Sequence, residues 1–247
     1  MLKVLYEDEH IIVVWKPVGL ESQSSRGFGA DMVSEIKRYI HKLSPKSGEP
    51  YVGVIHRLDK PVSGVMVYAK DKKSAAALSK QVADGKMKKK YLAVVCGKIV
   101  HNVDNFVDYL LKDEKLNLSK IVDKGITEAK RAELTVYPWE IIVDESYGPL
   151  TLAEIELKTG RHHQIRVQMA GHGLPLWGDN KYNPVFNGEA ALPSSVNVRS
   201  IRTNVALASW HLEFTHPISG KKMTFEEIPD ALIFRRFSRI KERAAQK

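Results

Sequence analysis

Apolar runs of strand length alternate with two helical stretches over the first hundred residues. Residues 2–6 and 11–15 (IIVVW) are β-rich runs separated by Glu7, Asp8, Glu9 and His10, a spacing that predicts a hairpin. Lys16-Pro17-Val18-Gly19 ends the second run, because proline cannot continue a central ladder. Residues 20–30 are rich in Ser and Gly and predict a loop. From Asp31, a candidate N-cap, Val33, Ile36, Ile40 and Leu43 follow helical spacing, and residues 44–50 read as a flexible connection. Gly64 to Ala69 (GVMVYA) has the residues of a half-buried strand. Asp71 is placed to cap a second helix through Leu78 and Val82, stopped at Gly85. Lys86 to Lys90 then reads as a turn before the strand Tyr91 to Cys96.

Residues 101–130 are polar and weakly patterned. Beyond them Ala132, Leu134 and Val136 share one face of a strand, and Ala153, Ile155 and Leu157 one face of its partner; a loop over 138–148 joins them as a hairpin. Strands with one wet side point to an antiparallel sheet. Residues 161–170 read as a short helix ended by Gly171 and Gly173, the stretch to about Thr203 as turns and loop, and Trp210, Leu212 and Phe214 as a strand returning through Met223 and Phe225. A basic tail closes the chain at about 231–247, with helical character. No internal repeat or linker divides the sequence, so the expectation is one α+β domain over 1–247, its mixed sheet largely antiparallel, with helices and loops flanking a central cleft.

Composition adds a partner. Lys and Arg number 38 against 29 Asp and Glu, a net charge of +9, which favours a polyanion, nucleic acid first. The single cysteine, Cys96, excludes an intramolecular disulfide and a multi-cysteine zinc site. Neither a secretory signal nor an apolar span of about 18 residues is present, and the expectation is a cytoplasmic protein without a membrane partner.

The chemistry concentrates in GVIHRLDKPVSGVMVYAK, residues 53–70, where His56, Arg57, Asp59, Lys60 and Ser63 crowd one loop at a sheet edge. In an extended segment Arg57 and Asp59 fall on the same side, giving a carboxylate with its own local cation. Three readings compete. A metal site of His56, Asp59, His162 and His163 is poorly supported: adjacent helical residues point about 100° apart, and no His-x3-His or Glu-x2-His spacing occurs. A non-catalytic RNA-binding module fits the charge but leaves the Arg57, Asp59, Ser63 cluster unexplained. The third makes Asp59 a catalytic carboxylate, Arg166 its remote partner and Tyr91 a wall or base of the same pocket. A nearby arginine offsets, by about 1–3 pKa units, the upward push that burial exerts on such a group.

HRLDKPVSGVMVYAK resembles the catalytic motif of the RluA family of RNA pseudouridine synthases, and KTGRHHQIRVQMAGHGLPLWGDNKY resembles that family's later motif, in the same order. YEDEHIIVVWKPVGL, KKKYLAVVCGK and ALASWHLEFTHPISGKKMTFEEIP extend the likeness over residues 4–230. The resemblance implies a bent-sheet catalytic domain, without the separate S4-like domain of many relatives, that needs no metal or cofactor. It implies that Asp59 is the catalytic aspartate, Arg57 the residue that helps displace the target base, Tyr91 the active-site tyrosine and Arg166 the arginine paired with the aspartate. Leu58 and Ile165 become supporting core residues. His56, Lys88, Lys89, Lys90 and His163 are the expected contacts to an RNA stem-loop, ribosomal or transfer; the lysine run from Lys86 and the Arg235 to Arg243 tail are candidates for phosphate neutralisation by their charge, and a monomer is expected because nothing in the sequence demands a partner. Val62 stands where threonine is usual, and His162 where threonine often precedes His163.

Overall fold

The computed structural model describes residues 2–24, 30–45, 48–189 and 203–246. Parts of three expected loops, at 25–29, 46–47 and 190–202, therefore lie outside the described residues. β1 (Lys3–Glu7) and β2 (Ile11–Lys16) form the expected hairpin, whose turn closes as Asp8 Oδ1 accepts the amides of His10 and Ile11 at 2.8 and 2.9 Å. α1 (Met32–Leu43) starts where Asp31 accepts the Ser34 amide at 2.7 Å. It buries Met32 and Ile36, while Leu43, expected on the apolar stripe, is exposed in the last turn. β3 (Gly53–Val54) and β4 (Ser63–Ala69) follow, and α2 (Lys72–Ala83) begins where Asp71 accepts the Ser74 amide at 2.7 Å.

From here several boundaries depart from the sequence pattern. β5 (Lys88–Cys96) takes in Lys88, Lys89 and Lys90, which were expected in a turn. β6 (Asp104–Asp113) and β7 (Leu118–Val122) occupy the weakly patterned stretch. Only Phe106 and Leu110 of β6 are buried, so no alternation marks it; its ladder to a distant strand, with Phe106 opposite Leu134, defines it instead. That strand is β8 (Lys130–Asp144), paired in turn with β9 (Gly148–Leu157). The loop expected over 138–148 shrinks to 145–147. Pro138 stays inside β8 at a register shift between Pro138 and Glu140, where a bulge accommodates its missing N–H.

α3 (Gln164–Gly171), α4 (Pro184–Asn187), β10 (Leu207–Thr215), β11 (Lys222–Glu226) and α5 (Ser238–Ala245) complete the chain. The basic tail is a docked helix. Glu140 on β8 accepts the amides of Ser238 and Arg239 at 2.9 and 3.0 Å, Arg236 pairs with Asp144, Arg243 lies over the Trp139 ring, and Phe237 and Ile240 are buried.

The chain divides into two compact units, Met1–Lys89 with Ser209–Glu227, and Lys90–Ala208 with Ile228–Lys247. In the first, the strands run β1-β2-β4-β10, with β3 also on β4 and β11 on β10. Every β4 residue is buried, and its Val65 and Val67 join Ile11, Val13, Leu78 and Phe214 in the core. In the second, the strands run β5-β9-β8-β6-β7, and α3 sets Val167 against Leu110 and Ala132. Pairing is mostly antiparallel, as at β1–β2, β2–β4, β3–β4 and β10–β11 in the first unit and β5–β9, β9–β8, β8–β6 and β6–β7 in the second, and helices are few, which is the α+β class the pattern called for.

Gly64 opens β4 at φ +149°, and a Cβ there would lie 2.5–2.6 Å from the main-chain O and N of Ser209. Gly64→Ala is therefore expected to cost about 2–3 kcal/mol, measured as a lower urea midpoint with an unchanged slope.

Candidate active site

Asp59 sits in the connection from β3 to β4, outside any ladder, so its place is set by hydrogen bonds from the segment after β2. Arg57 is exposed, Leu58 buried and Asp59 half-buried, the alternation expected when Arg57 and Asp59 share a side. Ser22, only 3% exposed, donates its hydroxyl to the Leu58 carbonyl at 2.8 Å and accepts the Leu58 amide at 2.9 Å. On the far side of Asp59, the Lys60 carbonyl accepts from the Gly19 amide at 2.9 Å and from Lys16 Nζ at 3.3 Å. The Val62 amide donates to the carbonyl of Asp59 itself at 3.0 Å and closes the turn into β4.

Lys16 is completely buried, and its ammonium also donates to the carbonyls of Leu20 and Pro17 at 2.6 and 3.0 Å. Burial pushes it down to about 8, opposed by the nearby carboxylates of Asp59 and Glu21. His56 is buried too. Its Nε2 accepts the Val67 amide at 3.4 Å, which leaves the proton on Nδ1, and Nδ1 has no hydrogen-bond partner among the described residues. Burial first, then the charge of Lys89, hold this imidazole down at about 3, so it is neutral. Lys89 is itself lowered by burial, and Lys88 pairs with Glu213 at 3.6 Å.

In the second unit Arg166 is 2% exposed on α3. Its Nε and Nη2 donate to the two oxygens of Asp179, itself fully buried, at 2.8 and 2.6 Å. Asp179 Oδ1 also accepts the amides of Lys181 and Tyr182, and the guanidinium stands 5.3 Å from the Tyr182 ring centroid. His163 caps α3 in the left-handed region, φ +53°, with no side-chain bond to the helix. Tyr182 Oη accepts the Ser119 amide at 2.8 Å and lies 2.8 Å from His163 Nδ1. Burial, then Arg166, push His163 down to about 2, so its ring is neutral. His162 stacks on His163 and meets the Ser119 hydroxyl at 2.9 Å through Nδ1. Tyr91 is buried on β5 opposite Ile155, and Lys90 pairs with Glu154 at 3.0 Å.

The expected site residues thus fall in both units: His56, Arg57, Asp59, Lys88 and Lys89 in the first, Lys90, Tyr91, His163 and Arg166 in the second. Leu58 and Ile165 are core residues, as expected. Three participants escaped the sequence reading. Lys16 looked like the end of a strand, Ser22 like one serine in a loop, and Asp179 like part of a turn; only its place in WGDNKY, after an arginine-bearing helix, hinted at a buried partner. Among the described residues, no three His, Cys, Asp or Glu side chains gather as around a metal ion. None of the described helices is long and apolar enough to cross a membrane.

Comparison with known proteins gives a consistent result. A family model described as RNA pseudouridylate synthase matches residues 10–171. The ribosomal large subunit pseudouridine synthase D of Nitrosomonas europaea is 32% identical over 231 residues, covering 93% of this chain and 62% of that protein. The protein of the same name from Zymomonas mobilis is 34% identical over 231 residues, covering 92% and 69%. Thus the chain spans about two thirds of the length of the curated relatives it matches. The solved structure of human RNA pseudouridylate synthase domain containing 1 has the same fold, with a TM-score of 0.70 at 18% identity over 93% of this chain and 84% of that one.

Two measurements check the electrostatics. Asp179→Ala leaves Arg166 buried without its bidentate partner and is expected to lower stability by about 3–5 kcal/mol in urea denaturation. For His56, an unfolded histidine titrates near 6.5 and the folded one near 3. Between these values the unfolded chain binds the extra proton, so His56 makes stability fall as pH drops from about 6.5 toward 3. His56→Gln should flatten the dependence of unfolding free energy on pH over that window.

Proposed function

The chain belongs to the RNA pseudouridylate synthase family, and from that premise we propose that it isomerises uridine in RNA to pseudouridine, with Asp59 as the catalytic carboxylate. The observation that carries this reading is the Asp59 loop. A carboxylate without a ladder of its own is held between two main-chain anchors and beside a buried ammonium, an arrangement that fixes a reactive group more tightly than a surface ion pair requires.

The reaction breaks the N1–C1′ bond of a uridine, turns the uracil, joins C5 to C1′ and releases the C5 proton, while the freed N1 takes up a proton. It is an isomerisation and balances without redox change. Asp59 starts it, by attack on the ribose or the base or by taking a proton from C2′. Arg166 is its counter-charge: with Nε and Nη2 committed to Asp179, the guanidinium plane is fixed in direction. Tyr91 stacks on the detached uracil and assists loss of the C5 proton. The target must leave its stack, at a cost of a few kcal/mol, and the exposed Arg57 occupies the space it vacates. Lys86, Lys88, Lys89, Lys90 and the tail from Arg235 to Arg243 supply phosphate contacts, whereas His56 and His163 are buried and offer RNA little surface. The chain acts as a monomer, in the cytoplasm. The names of the relatives make large-subunit ribosomal RNA the first substrate to try, with transfer RNA second.

Asp59→Asn is expected to abolish tritium release from RNA labelled at uridine C5 while the RNA dissociation constant stays within about twofold. Binding without release by the wild-type protein would make this chain an RNA-binding module instead, and full release by Asp59→Asn would remove Asp59 from the chemistry.

A further inference from the structure

The segment Glu21–Ser24 was expected to belong to a loop, yet it is tied down on every side. Glu21 bridges Asp31 in parallel and its carbonyl accepts the Met32 amide at 2.9 Å, so the first turn of α1 holds it. The carboxylate that caps α1 also accepts the Ser24 amide. The Ser22 carbonyl accepts the hydroxyl of Tyr68, a fully buried residue of β4, at 3.1 Å. Ser22 is therefore fixed by a helix and a strand, and its hydroxyl faces the loop that carries Asp59.

Among the described main-chain groups that hydroxyl serves Leu58 alone, giving its hydrogen to the carbonyl and taking one from the amide, with Met66 Sδ a longer and weaker contact at 3.6 Å. Leu58 immediately precedes Asp59 and has no strand partner to satisfy these groups. The carbonyl it presents is half of the peptide unit shared with Asp59, so the bond to Ser22 sets the orientation of that peptide plane. The anchor at Lys60 fixes the other side of Asp59, but it is made of a main-chain amide and an ammonium with three acceptors. Ser22 is the contact that a single side-chain atom controls.

On the reading that Asp59 is catalytic, we infer that Ser22 is a positioning residue: its hydroxyl holds the Leu58–Asp59 peptide so that the Asp59 carboxylate meets the target uridine in reactive geometry. It touches no substrate. A misplacement of about 1 Å can cost about a hundredfold in rate, so loss of the hydroxyl is expected to slow turnover at least tenfold while RNA binding, spread over many contacts, is unchanged.

The test uses the full chain and in-vitro transcripts of large-subunit ribosomal RNA and of transfer RNA, each tritiated at uridine C5. Ser22→Ala is expected to lower the single-turnover rate at least tenfold with the RNA dissociation constant within about twofold, and Ser22→Thr, which restores the hydroxyl, to recover most of the rate. Hydrogen exchange supplies a readout independent of activity. In Ser22→Ala the Leu58 amide should exchange at least tenfold faster while the amides of β4 keep their protection. If Ser22→Ala melts below the assay temperature, Ser22→Cys, of similar volume and weaker hydrogen bonding, must show the same split. Wild-type turnover by the folded variant, a rate that falls only in step with RNA affinity, or unaltered Leu58 exchange would each overturn the inference. An inactive wild-type protein with faster Leu58 exchange in Ser22→Ala would instead count against the synthase reading and leave the anchor intact.

Discussion

A lysine ammonium enclosed by protein organises the first unit. Lys16 has no exposed surface, and removing such a charge from water costs several kcal/mol unless acceptors replace the lost hydration. Three carbonyls do so, from Pro17, Leu20 and Lys60, two on the turn after β2 and one on the loop before β4. The full set of three acceptors is present when those two segments meet. Once they do, Gly19 reaches Lys60 and Ser22 reaches Leu58, and the residue between Leu58 and Lys60 is Asp59. That carboxylate then lies close enough to oppose the lowering that burial imposes on the ammonium. Folding of the loop and presentation of the acid are thus one event.

The second unit solves a similar problem with paired charges. Arg166 and Asp179 are both buried, and neither would be tolerable alone. The Asp179 carboxylate is further saturated by the amides of Lys181 and Tyr182, which brings Tyr182 to the head of α3. There its hydroxyl joins Ser119 of β7 to His163, a residue in a backbone region that few non-glycine residues occupy. The His163 side chain makes no cap bond to α3, and at the helix start the Gln164 side chain reaches back to accept the Arg161 amide at 2.9 Å. The His162 that replaces a more usual threonine takes part through its ring nitrogen on Ser119.

What could be read in the sequence follows the range of the forces involved. Asp31 and Asp71 bond amides three residues on, and both caps were legible. Alternation revealed β8, β9 and β10, because each presents a regular apolar face to a core. It failed for β6, where only Phe106 and Leu110 turn inward, and at Pro138, where a breaker in the sequence is absorbed by a bulge. The side-chain chemistry divides in the same way. Arg57 and Asp59 stand two apart and announced themselves, whereas Ser22 acts 36 positions away, and Lys16 reaches Lys60 across 44. A serine in a Ser- and Gly-rich stretch carries no local mark of such a partner. The family motifs supplied Arg166, but not the buried aspartate that orients it.

β7 ends the strand order of its unit, and the outermost strand of a sheet ordinarily invites pairing with another molecule. Here the invitation is withdrawn by the same atoms that join Ser119 to His163. The Ser119 amide is already given to Tyr182, Lys120 sits in the middle of only five residues, and Gly171 of α3 approaches Ile121 so closely that a methyl group would collide with it. Extending the sheet with a neighbour's strand would strip Tyr182 from Ser119 and dehydrate a lysine. Occupation of this edge at Ser119 is therefore a by-product of holding His163 in place, and a substitution that frees Tyr182 would leave the Ser119 amide open to another strand.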